Sequence, residues 1–419
     1  MINYVKILIK SLIIILISVC IGVGSLTLIY MIPNTTIKKN VEDSLDIFEK
    51  EGTYYDLTKW CSSKLNNFTD GHMLLQAIYD GPESALDKAL HAYECRYSDQ
   101  SPDKSLLMSY AEENMDYKVV PTTRYWHGYL VITTPLLTFL NWGQIRQLNL
   151  VIQIFIDLLL CVVLIKKNME KYIFPYILSI FLIMPLTLAY NLASSFVFYI
   201  FSIGSIVLIS KNDKGGGSDK HYFLFLVLGI LTSFFDYLTY PLVTFGVPIT
   251  FLMCLDSSNS VKERFKLILK NIIAWGMGYS GMWIGKWVVT TILCNENAFA
   301  QAIDSVRWRT SNMIDGTTST FSYSDVFIRN IEAFVRNPIM VIVIIFLIIM
   351  MLFVWKDNKW KSFKKNIYSF GMIAILPFIW YIVLSNHCYV HYWLTYKHLM
   401  ITSFAVMCLF IKTIDFKKR

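Results

Sequence analysis

The chain has 419 residues, of which 55% are hydrophobic and only 16% charged, with a mean hydropathy of +0.48. Soluble domains carry about a quarter charged residues, so a purely soluble protein is excluded. The net charge of +8 does not mark a nucleic-acid partner either. Lys and Arg collect in alternate segments between apolar runs, which is the positive-inside signature of membrane topology.

Lys6 and Lys10 lead into an apolar run at 11–31. It exceeds the roughly 7–15 apolar residues of a signal peptide and reads as an uncleaved first helix. Further spans are predicted at 147–165, 172–190, 192–210, 222–236, 240–255, 271–293, 338–355, 367–385 and 394–411. With about ten spans, both termini are expected to be cytoplasmic. The expected fold class is all-α: a polytopic transmembrane helical bundle with a mostly helical outer loop domain after the first span. Residues 1–31 form an N-terminal anchor helix and 32–125 the extracytoplasmic helical loop domain. Residues 126–293 supply the first part of the transmembrane bundle, 294–337 a second extracytoplasmic loop, and 338–419 the C-terminal part.

Within 32–125, VEDSLDIFEKEG (41–52) reads as a solvated amphipathic helix offering Glu42, Asp43 and Asp46. In NNFTDGHML (66–74), Asp70 and His72 are bracketed by Phe68, Met73 and Leu74. Asp70 suits a helix N-cap or a functional carboxylate, and one residue can serve as both. ESALDKALHAYE places Leu86, Ala89, Leu90 and Tyr93 on one helical face, and SPDKSLLMSYAEEN begins with a helix-start signal. Cys61 and Cys95 fall in the same outer segment, where a bridge is allowed in an oxidising compartment. RYWHGY (124–129) then opens directly into an apolar run. Tyr125, Trp126 and Tyr129 suit an anchor at the membrane surface, while Arg124 and His127 suit the rim of a lipid-phosphate site.

Further along, Asp157 sits mid-span, and KNDKGGGSDK (211–220) is expected to be a flexible inner loop. Asp236, in TSFFDYLTYP, lies between two spans too short to cross a typical hydrocarbon core unaided. An acid there is costly unless it is paired with a cation from another helix or faces a polar cavity. In the second outer segment, RWR carries Arg307 and Arg309, and GTTSTFSYS reads as a mobile loop or a lid. Only nine arginines occur, and guanidinium binds phosphate oxygens in bidentate fashion where ammonium does not. SNHCYVHYWLTYKH brings His387, His391 and His398 within about 40° on an ideal helix, with Lys397 nearby. That face suits an aromatic interface belt, a phosphate contact or a divalent metal, although no HExxH glutamate accompanies it. Six of the seven histidines fall on the outer side. The inner loops are too short for a nucleotide-binding or catalytic domain, which directs any chemistry to the outer side or into the membrane.

The first helix, the long outer loop with amphipathic helices and an acid, and the many spans with short inner loops resemble the GT-C superfamily of membrane glycosyltransferases. NFTDGHML, RYWHGYLV, FFDYLTYP and NHCYVHYW also resemble membrane proteins of bacterial surface-polysaccharide loci. The resemblance implies a cell-membrane enzyme moving a sugar from a polyprenyl-phosphate donor to a glycan acceptor. Asp70 and then Asp236 would be the general base. Arg124, His127, Arg307, Arg309, His387, His391 and Lys397 would contact substrate or the departing phosphate. The acidic pair that the family carries after its first helix has only Glu42–Asp43 as a counterpart here. No resident cofactor is assigned beyond the polyprenyl-phosphate-linked sugar donor, and a divalent metal stays open. A flippase for lipid-linked oligosaccharide and a repeat-unit polymerase or ligase remain open alternatives.

Overall fold

In lipid every backbone N–H and C=O must bond within its own segment, so the apolar runs fold as helices. In the computed structural model, helix makes up 76% and strand 3%, which bears out the helical class. The structure describes residues 2–414 except 60, 98, 112–115, 212–217, 259 and 315–318, and at 2–4, 61 and 218 the backbone alone. The glycine run of the 211–220 loop and part of GTTSTFSYS therefore lie outside the described residues.

α1 (Ile2–Ile29) leads into α2 (Thr35–Glu42), α3 (Leu45–Glu51), α4 (Asn67–Ile78), α5 (Ala85–His91), β1 (Glu94–Tyr97), α6 (Pro102–Met108) and β2 (Tyr117–Val120). There follow α7 (Leu130–Leu137), α8 (Trp142–Lys166), α9 (Ile173–Leu182), α10 (Pro185–Tyr190), α11 (Leu192–Lys211), α12 (Ser218–Phe235), α13 (Val243–Leu255) and α14 (Val261–Cys294). The chain ends with α15 (Ala298–Arg309), α16 (Tyr323–Val335), α17 (Ile339–Lys356), α18 (Trp360–Ala374), α19 (Leu376–Val383), α20 (Ser385–Val390), α21 (Tyr392–Thr395) and α22 (Leu399–Ile414).

Among the described residues, six helical stretches are long and apolar enough to cross a membrane: Val5–Ile29, Trp142–Lys166, Leu192–Lys211, Ile339–Lys356, Trp360–Val383 and Tyr392–Ile414. Leu12, Leu16 and Ile17 on α1 and Ile344, Ile345 and Ile348 on α17 are exposed. Apolar faces of that extent are costly in water and favourable against lipid. The other four predicted spans differ. Residues 172–190 break at Met184, which takes a left-handed φ of 59° immediately before Pro185, because proline disfavours a helical residue ahead of it. The 222–236 and 240–255 spans are α12 and the 13-residue α13. The 271–293 span lies inside α14, whose 34 residues extend about 51 Å at 1.5 Å per residue. α14 packs closely on α12: a Cβ added at Gly278 would stand 2.1 Å from the Leu226 carbonyl oxygen.

In the polar segment, α5 and α6 form where their patterns predict, but the 41–52 pattern divides between α2 and α3. The antiparallel pairing of β1 with β2, with Glu94 opposite Val120, is not signalled by either short sequence. Asn66, not Asp70, caps α4, its side chain accepting from the Thr69 amide. Asp70 sits within the first turn, fully buried. It accepts from Arg146 Nη2 at 3.1 Å and Trp142 Nε1 at 3.1 Å, and Arg146 also bonds Glu51 and Asn67. One guanidinium of α8 thus fastens α3 and α4 to the membrane bundle.

The expectation of a surface anchor at RYWHGY is corrected. Tyr125, Trp126 and Tyr129 are buried inside the protein, with Trp126 Nε1 donating to the Met282 carbonyl at 2.8 Å. The segment turns through His127 at φ 55°. A Cβ at Gly128 would lie 2.4 Å from Phe234, so only glycine lets this turn reach α12. Asp157 is answered by the Tyr176 hydroxyl at 2.6 Å. Cys95 is a free thiol, whereas the Cys61 side chain lies outside the described residues.

Candidate functional site

A cavity of about 400 Å³ opens where the polar segment meets the bundle. α4 supplies Phe68 and His72, β1 supplies Glu94 and Arg96, and the chain before α7 supplies Arg124 and Tyr125. The α12–α13 loop adds Tyr237, Leu238 and Thr239, α15 adds Arg309, and the α20–α21 region adds His387, His391 and Trp393. Four of the residues expected from sequence, Arg124, Arg309, His387 and His391, therefore meet in one cavity although they are remote in the chain.

Arg309 is held by two of its donors. Nη1 lies 2.5 Å from His387 Nδ1, and Nη2 donates to the Tyr125 hydroxyl. Guanidinium only donates, so His387 Nδ1 accepts and its Nε2–H donates to the Leu238 carbonyl at 2.7 Å. His387 is neutral in this arrangement. Burial first, then the charge of Arg309, hold it well below the usual imidazole range. Burial and then Arg309 also depress neighbouring His391, to about 4. Arg124 and Arg309 stand 5.2 and 5.9 Å from the Tyr125 ring centroid. Neither guanidinium has a carboxylate partner among the described residues.

On the opposite wall, His72 Nδ1 is 2.6 Å from Glu94 Oε2. Arg96 Nε donates to the other Glu94 oxygen at 2.8 Å. Glu94 is fully buried and His72 is 6% exposed. With Nδ1–H given to the carboxylate, a neutral His72 presents its Nε2 lone pair, and Nε2 has no protein partner among the described residues. Sequence reading noted His72 but missed Glu94 and Arg96, because a four-residue strand offers too little pattern to set them apart.

A second opening of about 390 Å³ shares Arg124, Tyr125, Leu238 and Arg309 with the cavity. It is otherwise apolar, walled by Tyr279, Trp283, Ile284 and Trp287 of α14 and by Trp380 of α19. Tyr279, Trp283 and Trp287 recur every four residues along α14, a signal for this wall, since positions i and i+4 share a helix face. The two arginines therefore mark the junction of a polar chamber and an aromatic groove.

The remaining expected residues lie elsewhere. Asp70 is sealed beneath Arg146, outside the cavity lining. Among the described residues Asp236 pairs with no cation from another helix; it accepts from the Thr239 amide at 3.0 Å and from the Thr239 hydroxyl. It shapes the loop that turns at Leu238 (φ 61°) and aims the Leu238 carbonyl at His387. His127 lies behind the cavity wall, bonding the Thr122 carbonyl at 2.8 Å and the Tyr129 hydroxyl at 2.6 Å. Arg307 projects away, 77% exposed and 3.6 Å from Asp304. Lys397 is buried, donating to the Trp393 carbonyl at 3.3 Å. The common face expected for His387, His391 and His398 holds only in part. His387 and His391 ring centroids are 4.9 Å apart, but the chain leaves the α-helix at His391 and again over Tyr396–His398. His398 turns instead toward Trp380 and Tyr381.

The buried imidazoles give a pH dependence with a definite sign. Burial depresses His127 to about 3, alongside the lowered His387 and His391. Each takes its proton more readily when unfolded, so its stabilising contribution is full above about pH 6.5 and lost as pH falls through the folded value. Asp70 has the opposite sign: burial, against the pull of Arg146, raises it to about 6. Its contribution is present below about pH 4 and lost as pH rises through 6. Between pH 7 and pH 5 the three histidines lose stabilisation while Asp70 gains it, so the melting temperature should fall on acidification and His127→Gln should flatten that slope. A melting temperature that rises on acidification would reject neutral buried histidines.

Comparison with protein-family models, with curated proteins and with solved structures finds no match. The functional assignment therefore stands on geometry.

Proposed function

We propose that the protein is a membrane glycosyltransferase that takes a sugar from a polyprenyl-phosphate donor and passes it to a cell-surface glycan. On this reading four shorter or broken segments complete about ten spans around a GT-C-like plan. The cavity opens to the outer face of a bacterial cell membrane, and both termini are cytoplasmic, as the charge distribution favours.

The observation that carries the proposal is the pair Arg124 and Arg309 at the mouth shared by the polar chamber and the aromatic groove. A polyprenyl phosphate has this same division: a long apolar chain, one anionic link, and a polar sugar beyond it. The isoprenoid lies along Trp283 and Trp287, the phosphate meets the two guanidiniums, and the sugar enters the chamber facing His72. The acceptor hydroxyl attacks the anomeric carbon and gives its proton to His72 Nε2. Glu94 holds that imidazole in the tautomer with its lone pair toward the cavity, as a carboxylate orients a catalytic histidine elsewhere. The sugar–phosphate bond breaks, and the phosphate's new charge falls on Arg124 and Arg309, already oriented by Tyr125 and His387.

The reading requires tight, phosphate-dependent lipid binding. Purified protein should retain a polyprenyl phosphate in native mass spectrometry in preference to the uncharged polyprenol. Charged hydrogen bonds contribute about 1.5–3 kcal/mol, so Arg309→Ala should weaken retention by about 10–100-fold. Equal retention of the two lipids, or an unaffected variant, would remove the basis for the proposal.

A further inference from the structure

Away from the cavity, α5 reaches the end of α14, and Lys286 fixes the contact by donating to the Leu90 carbonyl at 2.7 Å. There Asp87, His91 and Cys294 converge, each offering one ligating atom within 4.8 Å of the others. Glu296 follows after Asn295, whose left-handed φ of 55° turns the chain back, and its Oε1 stands 3.3 Å from His91 Nε2. His91 is only 3% exposed. Its Nδ1 lies 3.0 Å from the Asp87 carbonyl and 3.1 Å from the Asp87 carboxylate. Both neighbours accept hydrogen bonds, so Nδ1 carries the proton.

In the neutral ring that leaves Nε2 as a lone pair, and it is a buried atom with no hydrogen-bond partner among the described residues. Its nearest polar neighbour, a carboxylate oxygen, is also an acceptor. A positive charge must lie between them, and the choice is a proton on the ring or a metal ion. The adjacent thiol is a group that a metal would use and a proton would not. Nitrogen, sulfur and carboxylate oxygen are the donor set of a borderline-soft divalent ion held tetrahedrally. Asp87 is already oriented by the Tyr93 hydroxyl at 3.0 Å, the kind of outer support that ligating groups receive.

We propose that Asp87, His91, Cys294 and Glu296 form a zinc-class metal site that clamps the polar segment to α14. The Cys294 thiol gives its proton to solvent on binding, and the thiolate, the imidazole and the two carboxylates bind the ion. None of these residues lines the cavity, so the proposal stands apart from the transfer reaction. Its consequence is that holding the lid-like polar segment in register depends on metal supply.

Full-length protein in detergent, stripped with a chelator, should bind one equivalent of Co²⁺. A thiolate-to-cobalt charge-transfer band should appear in the near ultraviolet, and Zn²⁺ should abolish it. Cys294→Ser should remove the band, His91→Ala should weaken Co²⁺ binding at least tenfold, and Cys95→Ser should change neither. Zn²⁺ should raise the melting temperature of the wild type and not that of Cys294→Ser. A wild type without the band, or a band that survives in Cys294→Ser, would overturn the site in favour of a protonated His91 ion pair. Should Cys294→Ser fail to fold, the wild-type titration alone decides the question.

Discussion

His72→Ala is expected to lower the transfer rate by about 10²–10⁴-fold, the usual contribution of a positioned general base. Donor lipid binding should stay intact, because Arg124 and Arg309 form the opposite side of the cavity. Glu94→Gln tests the same dyad from behind. It keeps an acceptor beside His72 Nδ1 but removes the charge shared with Arg96. Glu94 acts through His72, so its loss should appear in kcat with little change in the donor KM. Arg309→Lys should show the reverse split, raising KM through the lost bidentate geometry. The measurement is sugar transfer from a synthetic polyprenyl-phosphate donor by each purified variant, with retained lipid quantified in parallel. A His72→Ala protein that folds, binds lipid and transfers at the wild-type rate would remove His72 as the base.

The second large effect concerns stability. Arg146→Ala leaves Asp70 and Glu51 without their common cation, and uncompensated buried charge costs about 3–5 kcal/mol. That is a substantial part of a typical net stability of about 5–15 kcal/mol. The variant should release α3 and α4 from α8 and expose the polar segment to proteolysis. Asp70→Asn is the informative companion. An amide oxygen still accepts from Trp142 and Arg146, so this change should cost less and leave transfer measurable in whatever protein folds. A well-folded Asp70→Asn protein without any transfer would return Asp70 to the reaction, as the resemblance to membrane glycosyltransferases implies. Limited proteolysis beside the transfer assay separates the two outcomes.

Asp70 illustrates what a single chain conceals. Its neighbours Phe68 and Met73 signal packing, and its position signals either a cap or chemistry. The partner that decides its role, Arg146, lies 76 residues further on, just ahead of the predicted span at 147–165, where no pattern ties it to Asp70. Glu94 is the converse. Nothing in AYECRY distinguishes it from a solvated acid, yet pairing with β2 turns it inward and α4 presents His72 to it. Asp236 drew attention as an acid within the membrane segments, and it proves to bond its own loop.

Composition and apolar run length by themselves determined that this is a helical membrane protein, because a bilayer accepts few other backbones and the required length follows from its thickness. Local chemistry also determined the helix start at Ser101, and the scarcity of arginine drew attention to Arg124, Arg307 and Arg309. Only the tertiary structure decided which arginine meets which ring, that Arg307 turns outward while Arg309 turns in, and that His398 leaves the histidine face. Those outcomes depend on breaks at His391 and Leu238 and on contacts between residues far apart in the chain. Helical periodicity carries no information across such breaks, so the site exists only once the packing has set their angles.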